Sequence, residues 1–187
     1  MGYAVAAAFA AEGHRVLLIS GPTSIDVPDG VDFIPVESAA EMYQCVANQI
    51  GRMDIAVFAA AVADYRPTAI SPGKIKKASE SMTIELVKNP DILASARKEF
   101  GFAGTLVGFA AETENLITNA REKLVRKECD LIVANDVSQP GIGFDSNRNA
   151  VKLVYQDRVE VLPEDEKHHL AQHLFQAILT LRAESVD

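Results

Sequence analysis

Asp64 closes an apolar run rich in alanine and valine, and past Pro67 and Pro72 come Lys74, Lys76 and Lys77, in the segment AAAVADYRPTAISPGKIKKA. A carboxylate in that position can hold a divalent cation or ribose hydroxyls. Lysines on a loop that two prolines keep out of helix and central strand can neutralise a polyphosphate as its leaving pyrophosphate gains charge. The plain alternatives are a surface cap and a solvated charge run. Lys123 and Lys127 lie four apart on a predicted helix, a spacing at which like charges repel, acceptable for surface lysines and required of a phosphate-facing surface. The segment NPDIL (89–93) offers free backbone N–H groups and a positive helix-dipole end, as any capped helix does. Phe109 and Glu112, in GFAAETE, end another apolar run, where Phe109 is either core or a stacking platform. His168, His169 and His173 lack a carboxylate that completes a recognised metal-ligand spacing, so they read as a solvated helix face.

The elements that must carry these groups alternate. RVLLIS (15–20), VDFIPV (31–36), DIAVFAA (54–60), TLVGFAA (105–111) and DLIVAN (130–135) read as strands, several apolar enough to be buried on both faces. Amphipathic helical segments lie between them, which predicts an α/β fold with a doubly wound, mainly parallel, Rossmann-like sheet. Asp64 then sits beyond the carboxyl end of a central strand, where open sheets place their ligands. Ser38 with Glu41 forms a capping box ahead of Met42, Val46 and Ile50, and Asn89 followed by Pro90 reads as an N-cap with its proline. Leu116, Ile117, Ala120, Leu124 and Val125 form one stripe, and Pro163 is expected to open a last helix with Leu170, Leu174, Ile178 and Leu181 on one side. Antiparallel pairing is expected for TIELV (83–87) and for AVKLVY (150–155) with RVEVL (158–162). Residues 1–187 are thus expected to form a single domain with a flap over about 65–88. The chain starts on a helix at Gly2, where such a domain normally has a strand and glycine loop first; the first strand is expected to be missing, either because the sequence begins late or because Met1 is internal to a longer reading frame.

Composition narrows the function classes. With 26 acidic against 18 basic residues, a net charge of −8 and a pI near 5.0, the chain is no non-specific nucleic-acid binder. The longest apolar runs, 4–11 and 55–63, fall well below the ~18 residues of a membrane span, so no membrane partner is expected. Cys45 and Cys129 stand far apart and outside any ligand spacing, which fits a reduced, cytoplasmic protein. No G-x-G-x-x-G is present; Gly141 and Gly143 in QPGIGFDSN precede a predicted strand, not a helix. G-x-S-x-G and the P-loop lysine are absent too. A nicotinamide oxidoreductase and a truncated, non-catalytic nucleotide-binding module remain as rival readings.

In this order, AAAVADYRP, GKIKK, LVKNPDIL, VGFAAETE and DLIVANDVSQPGIGFDSN closely resemble bacterial phosphopantothenoylcysteine synthetase, the CTP-dependent phosphopantothenate–cysteine ligase of coenzyme A biosynthesis. The resemblance covers most of residues 2–162. It implies a two-step ligation: 4′-phosphopantothenate and CTP give an acyl-cytidylate and pyrophosphate, and L-cysteine then displaces CMP. It also implies Mg²⁺ on the triphosphate. Carried over by position, Phe58, Ala59 and Ala60 resemble the strand end beside the nucleotide, with Asp64 near its ribose or metal. Lys74 matches the first lysine of the family's Lys-x-Lys-Lys motif and is the expected catalytic cation. Pro90, Asp91, Ile92 and Leu93 resemble the turn that reads cytosine through backbone groups. Phe109, Lys123 and Lys127 resemble the remaining CTP contacts, and Asn135 falls in a matching block without an assigned role. The family is dimeric and often fused to a flavin-dependent decarboxylase, so a homodimer is expected, with FMN only in such a fused domain. The family's glycine-rich first loop and its asparagine segment have no counterpart here, so the resemblance implies that the isolated chain binds nucleotide poorly or is inactive.

Overall fold

The computed structural model describes residues 1–69, 71–76, 80–136 and 146–184. Helix α1 (Gly2–Ala11) leads into strand β1 (Val16–Ser20), which pairs in parallel with β2 (Val31–Pro35). Helix α2 (Ala39–Gln49) and a 3-10 turn (Ile50–Arg52) bring the chain to β3 (Ile55–Phe58). A ribbon of β4 (Tyr65–Pro67) and β5 (Leu86–Lys88) then leaves the body and returns to α3 (Ile92–Lys98). The rest is β6 (Thr105–Glu112), α4 (Leu116–Lys127), β7 (Leu131–Asp136), β8 (Arg148–Val154), β9 (Val159–Glu166) and α5 (Lys167–Glu184). Five strands form one sheet in the order β3-β6-β7-β8-β9, parallel through β7 and antiparallel beyond it.

The period-2 pattern of β6 and β7 divides the core into two layers. Val107, Leu131 and Val133 face one side, packed with Val5 and Phe9 of α1 and Leu170, Leu174 and Ile178 of α5. Leu106, Ile132 and Ala134 face the other, against Leu93 and Ala96 of α3 and Ala120 and Leu124 of α4. This is the mixed α/β, Rossmann-like arrangement the alternation predicts. Burial on both faces holds for β6 and β7, but β1 and β3 are only half-buried. Each pairs on one side alone, β1 with β2 and β3 with β6, and among the described residues no strand lies along its other edge.

Several local expectations shift. Ser38 caps α2 by accepting from the Glu41 N–H at 3.2 Å, yet Glu41 reaches back to the N–H of Glu37 at 2.8 Å and not to Ser38 itself. The N-cap of α3 is Asp91, which accepts from Ala94 N–H at 3.0 Å; Asn89 stays two residues outside the helix. Val125 leaves the α4 stripe and is 74% exposed. Pro163 lies inside β9, not at a helix start: β9 is an edge strand whose register to β8 shifts between Asn149 and Val151, so a residue without an N–H costs the ladder nothing there. TIELV contributes only its end to a strand, at Leu86 and Val87. The β8–β9 hairpin forms as expected, closed by Tyr155 N–H to Arg158 O at 3.0 Å. Lys77, Gly141 and Gly143 lie outside the described residues.

Candidate active site

The candidate residues gather on segments that leave the carboxyl ends of β3 and β6. Phe58 ends β3, packing partly buried against the α3–α4 layer, and Ala59 follows it. Helix α1 starts close by: a Cβ built on Gly2 would lie 3.4 Å from that of Ala59. Ala60 borders a cavity of about 460 Å³ that includes Ser20, Gly21, Ser38, Arg66 and Asn89 in its wall. Asp64 is exposed, its backbone carbonyl accepting from Asn89 N–H at 2.8 Å, and its carboxylate makes no ion pair among the described residues. That leaves the oxygens open, and one carboxylate beside phosphate oxygens is the donor set Mg²⁺ favours.

Past Pro67 the ribbon carries on for one more pairing, Thr68 N–H to Glu85 O at 3.0 Å, and Lys74 and Lys76 follow on its outer loop. Both are exposed and without ion pairs among the described residues. The turn into α3 is built differently. Ile92 and Leu93 are 5% and 9% exposed, so their side chains belong to the core and their backbone is what Pro90–Leu93 can offer a ligand.

Asp91 has two partners. One carboxylate oxygen caps α3; the other takes the ammonium of Lys127, joining α3 to α4. Burial by itself would raise the Asp91 pKa, but the Lys127 hydrogen bond, the Ala94 N–H and the charges of Lys127 and Arg126 outweigh it and bring the group below its ordinary value. Lys123, one turn before Lys127, donates to the backbone carbonyl of Phe109 at 2.7 Å. Its pKa is lowered, first by burial and then by the Lys127 charge. A cavity of about 720 Å³ runs along this part of α4, bordered by Glu112, Asn119 and Lys123.

The structure therefore unites Asp91 with Lys127 and Lys123 with Phe109, while Asp64 and Lys74 stand apart on the arm. Phe109 joins through its carbonyl only, because strand alternation turns its ring into the α1–α5 layer. Asn135 is on β7 beside Ala111, and its Oδ1 is buried without a hydrogen-bond partner among the described residues. His168 and His169 pair with Glu166 and Asp165 on the surface, at 3.2 and 3.1 Å. Sequence reasoning missed Arg66 and misread Asn89, two polar residues joined at the root of the arm; the available signal was an arginine on a strand facing an Asn-Pro turn.

Comparison with known proteins adds an independent line. The DNA/pantothenate metabolism flavoprotein C-terminal domain profile matches residues 1–181. The coenzyme A biosynthesis bifunctional protein CoaBC of Escherichia coli K12 is 45% identical over 183 residues, covering 96% of this chain and 45% of the relative. That of Bacillus subtilis is 44% identical over 186 residues, covering 97% of this chain and 45% of the relative. The chain thus spans about half the length of the curated relatives it matches. A crystal structure of a CoaBC C-terminal domain superposes with a TM-score of 0.78 at 34% identity, covering 96% of this chain and 81% of that one. Among the described residues, no helix is long and apolar enough to cross a membrane.

Proposed function

The chain belongs to the DNA/pantothenate metabolism flavoprotein C-terminal domain family, and from that premise we propose that it is the ligase part of a coenzyme A biosynthesis protein, joining 4′-phosphopantothenate to L-cysteine at the expense of CTP. The observation that supports this reading is that the candidate groups lie on the segments that follow two neighbouring parallel strands. Asp64, the arm with Lys74 and Lys76, and the Asp91–Lys127 pair with Lys123 all stand on segments that leave the carboxyl ends of the neighbouring parallel strands β3 and β6, where open α/β sheets bind nucleotides.

In the first step a carboxylate oxygen of phosphopantothenate attacks the α-phosphorus of CTP. The bond to the bridging oxygen breaks, and pyrophosphate leaves with the electron pair. In the second, the cysteine amine attacks the acyl carbon, loses a proton, and the amide forms as CMP departs. The activation is needed because a free carboxylate, which has no good leaving group, is a poor acyl donor to an amine. Lys74, on the outer loop of the arm, is assigned to offset charge developing on the departing phosphates. Asp64 would hold Mg²⁺, which supplies charge neutralisation of the triphosphate when bound. The backbone of Pro90–Leu93 reads the cytosine edge, and Lys123, Lys127 and the Phe58–Ala60 strand end complete the nucleotide contacts. We further assign the exposed apolar side chains of the arm, Tyr65, Ile75, Met82, Ile84 and Leu86, to a homodimer contact, since 55–63% exposure of each on one excursion is otherwise unexplained. Fusion to a flavin-dependent decarboxylase accords with the bifunctional relatives.

The test is calorimetric titration of CTP, ATP and NADPH with Mg²⁺. It is followed by pyrophosphate release with phosphopantothenate and cysteine, for the chain alone and joined to the upstream half of a bifunctional relative. Selective CTP uptake, with turnover only in the joined form, is expected; preference for NADPH, or no nucleotide uptake by either form, would overturn the reading. In the active form Lys74→Gln should slow acyl-cytidylate formation by about 10² or more, the scale of losing a key electrostatic stabiliser, and an unchanged rate removes Lys74 from the mechanism.

A further inference from the structure

Asn89 is 7% exposed, and all its polar groups outside its own carbonyl are engaged where the arm joins the body. Its Nδ2 donates to Ala63 O at 2.8 Å and its backbone N–H donates to Asp64 O at 2.8 Å, both on the outgoing chain. Its Oδ1 accepts from Arg66 Nη1 at 2.9 Å, and the same nitrogen donates to Lys88 O at 3.0 Å on the returning chain. One amide thus binds the two crossing chains to each other immediately beneath the ribbon.

The ribbon has little else to orient it. All six residues of β4 and β5 are exposed, and an isolated two-stranded pair is marginal in water. Its direction is therefore decided at its root. We propose that Asn89 is a positioning residue: with Arg66 it forms a clasp that fixes the arm bearing Lys74 relative to Asp64. This rests on the ligase reading above. The clasp also explains why an amide is required. Aspartate would still accept from Arg66. It would, however, set a second oxygen against Ala63 O, where the structure has an N–H donor.

Asn89→Asp is consequently the decisive variant, with Arg66→Ala as a second that removes the other half. Spin labels at Glu85→Cys and Glu122→Cys, in a Cys45→Ser background and diluted with unlabelled protein so that only distances within one subunit are read, report the arm's direction without any ligand; Cys129, buried, stays unlabelled. The parent should give one narrow distance distribution and both variants broad ones. In the active form, kcat should fall about tenfold or more while the CTP dissociation constant changes less than about threefold, since small misplacement of a group acting in the transition state is costly. Narrow distributions in both variants would overturn the clasp. Broad ones with unchanged kcat would overturn its positioning role. Absence of CTP uptake by the parent would instead overturn the ligase reading, and the label distances would still decide the clasp.

Discussion

Asp91 shows how two jobs can be separated at a single residue. As an N-cap it is replaceable by asparagine, and as the partner of Lys127 it is not. Asp91→Ala should lower stability by about 1 kcal/mol from the lost cap, with Lys127, 11% exposed at its side chain, left without its counter-ion. Asp91→Asn should lose only the second part. Because the folded Asp91 pKa lies below its ordinary value, the charge-dependent stabilisation is present above about pH 4, the usual carboxylate range, and is lost as pH falls through the lower folded value. Urea unfolding of the parent and Asp91→Asn should accordingly differ near neutrality and converge in acid; a constant difference would rule the ion pair out as its source. The sequence made Lys123 and Lys127 legible as neighbours through their spacing. It could not separate Asn89 from Asp91 as the cap, because both types cap well and only burial tells them apart.

At the scale of elements, the link between α3 and β6 is held by close backbone approach. Arg97 donates to Phe102 O, Gly104 O and Glu128 O and pairs with Asp130 at 2.7 Å, while Asp130 accepts from Leu106 N–H at 2.7 Å. A Cβ on Gly104 would fall 2.3 Å from Asp54 O and 2.6 Å from Phe102 Cζ. A backbone carbonyl cannot yield, so Gly104→Ala should destabilise by about 1–3 kcal/mol. Gly108→Ala would meet the methyl ends of Ile132 and Leu93 at 2.9 Å, which can turn aside, and should cost less. Denaturant midpoints of the two variants test the ranking. Helix stripes and buried strands were legible here because periodicity reports which face is covered. The strand containing Pro163 was not, since tolerance of proline depends on an edge and a register shift that arise only once β8 and β9 meet.

For the molecule as a whole, helices α1 and α5, from opposite ends of the chain, share one sheet face. Leu174 is fully buried between them and the sheet. Leu174→Ala should cost about 2–5 kcal/mol, with a fall in Tm of roughly 2–4 °C per kcal/mol for a chain of this size. A smaller loss in calorimetric scans would mean the two helices close over the gap. The alternation of elements in the sequence foretold the layering. It did not foretell the lateral gaps in pairing, which depend on which strands meet and not on what each contains.

Among the described residues the outer sides of β1 and β3 have no strand partner, and this has a practical meaning. Rows of peptide N–H and C=O flanked by Val16, Leu18, Ile55 and Val57 are templates for cross-β growth. A short valine-rich peptide added in excess should pair along those sides, and its uptake, read by fluorescence anisotropy, checks that they are open to another strand.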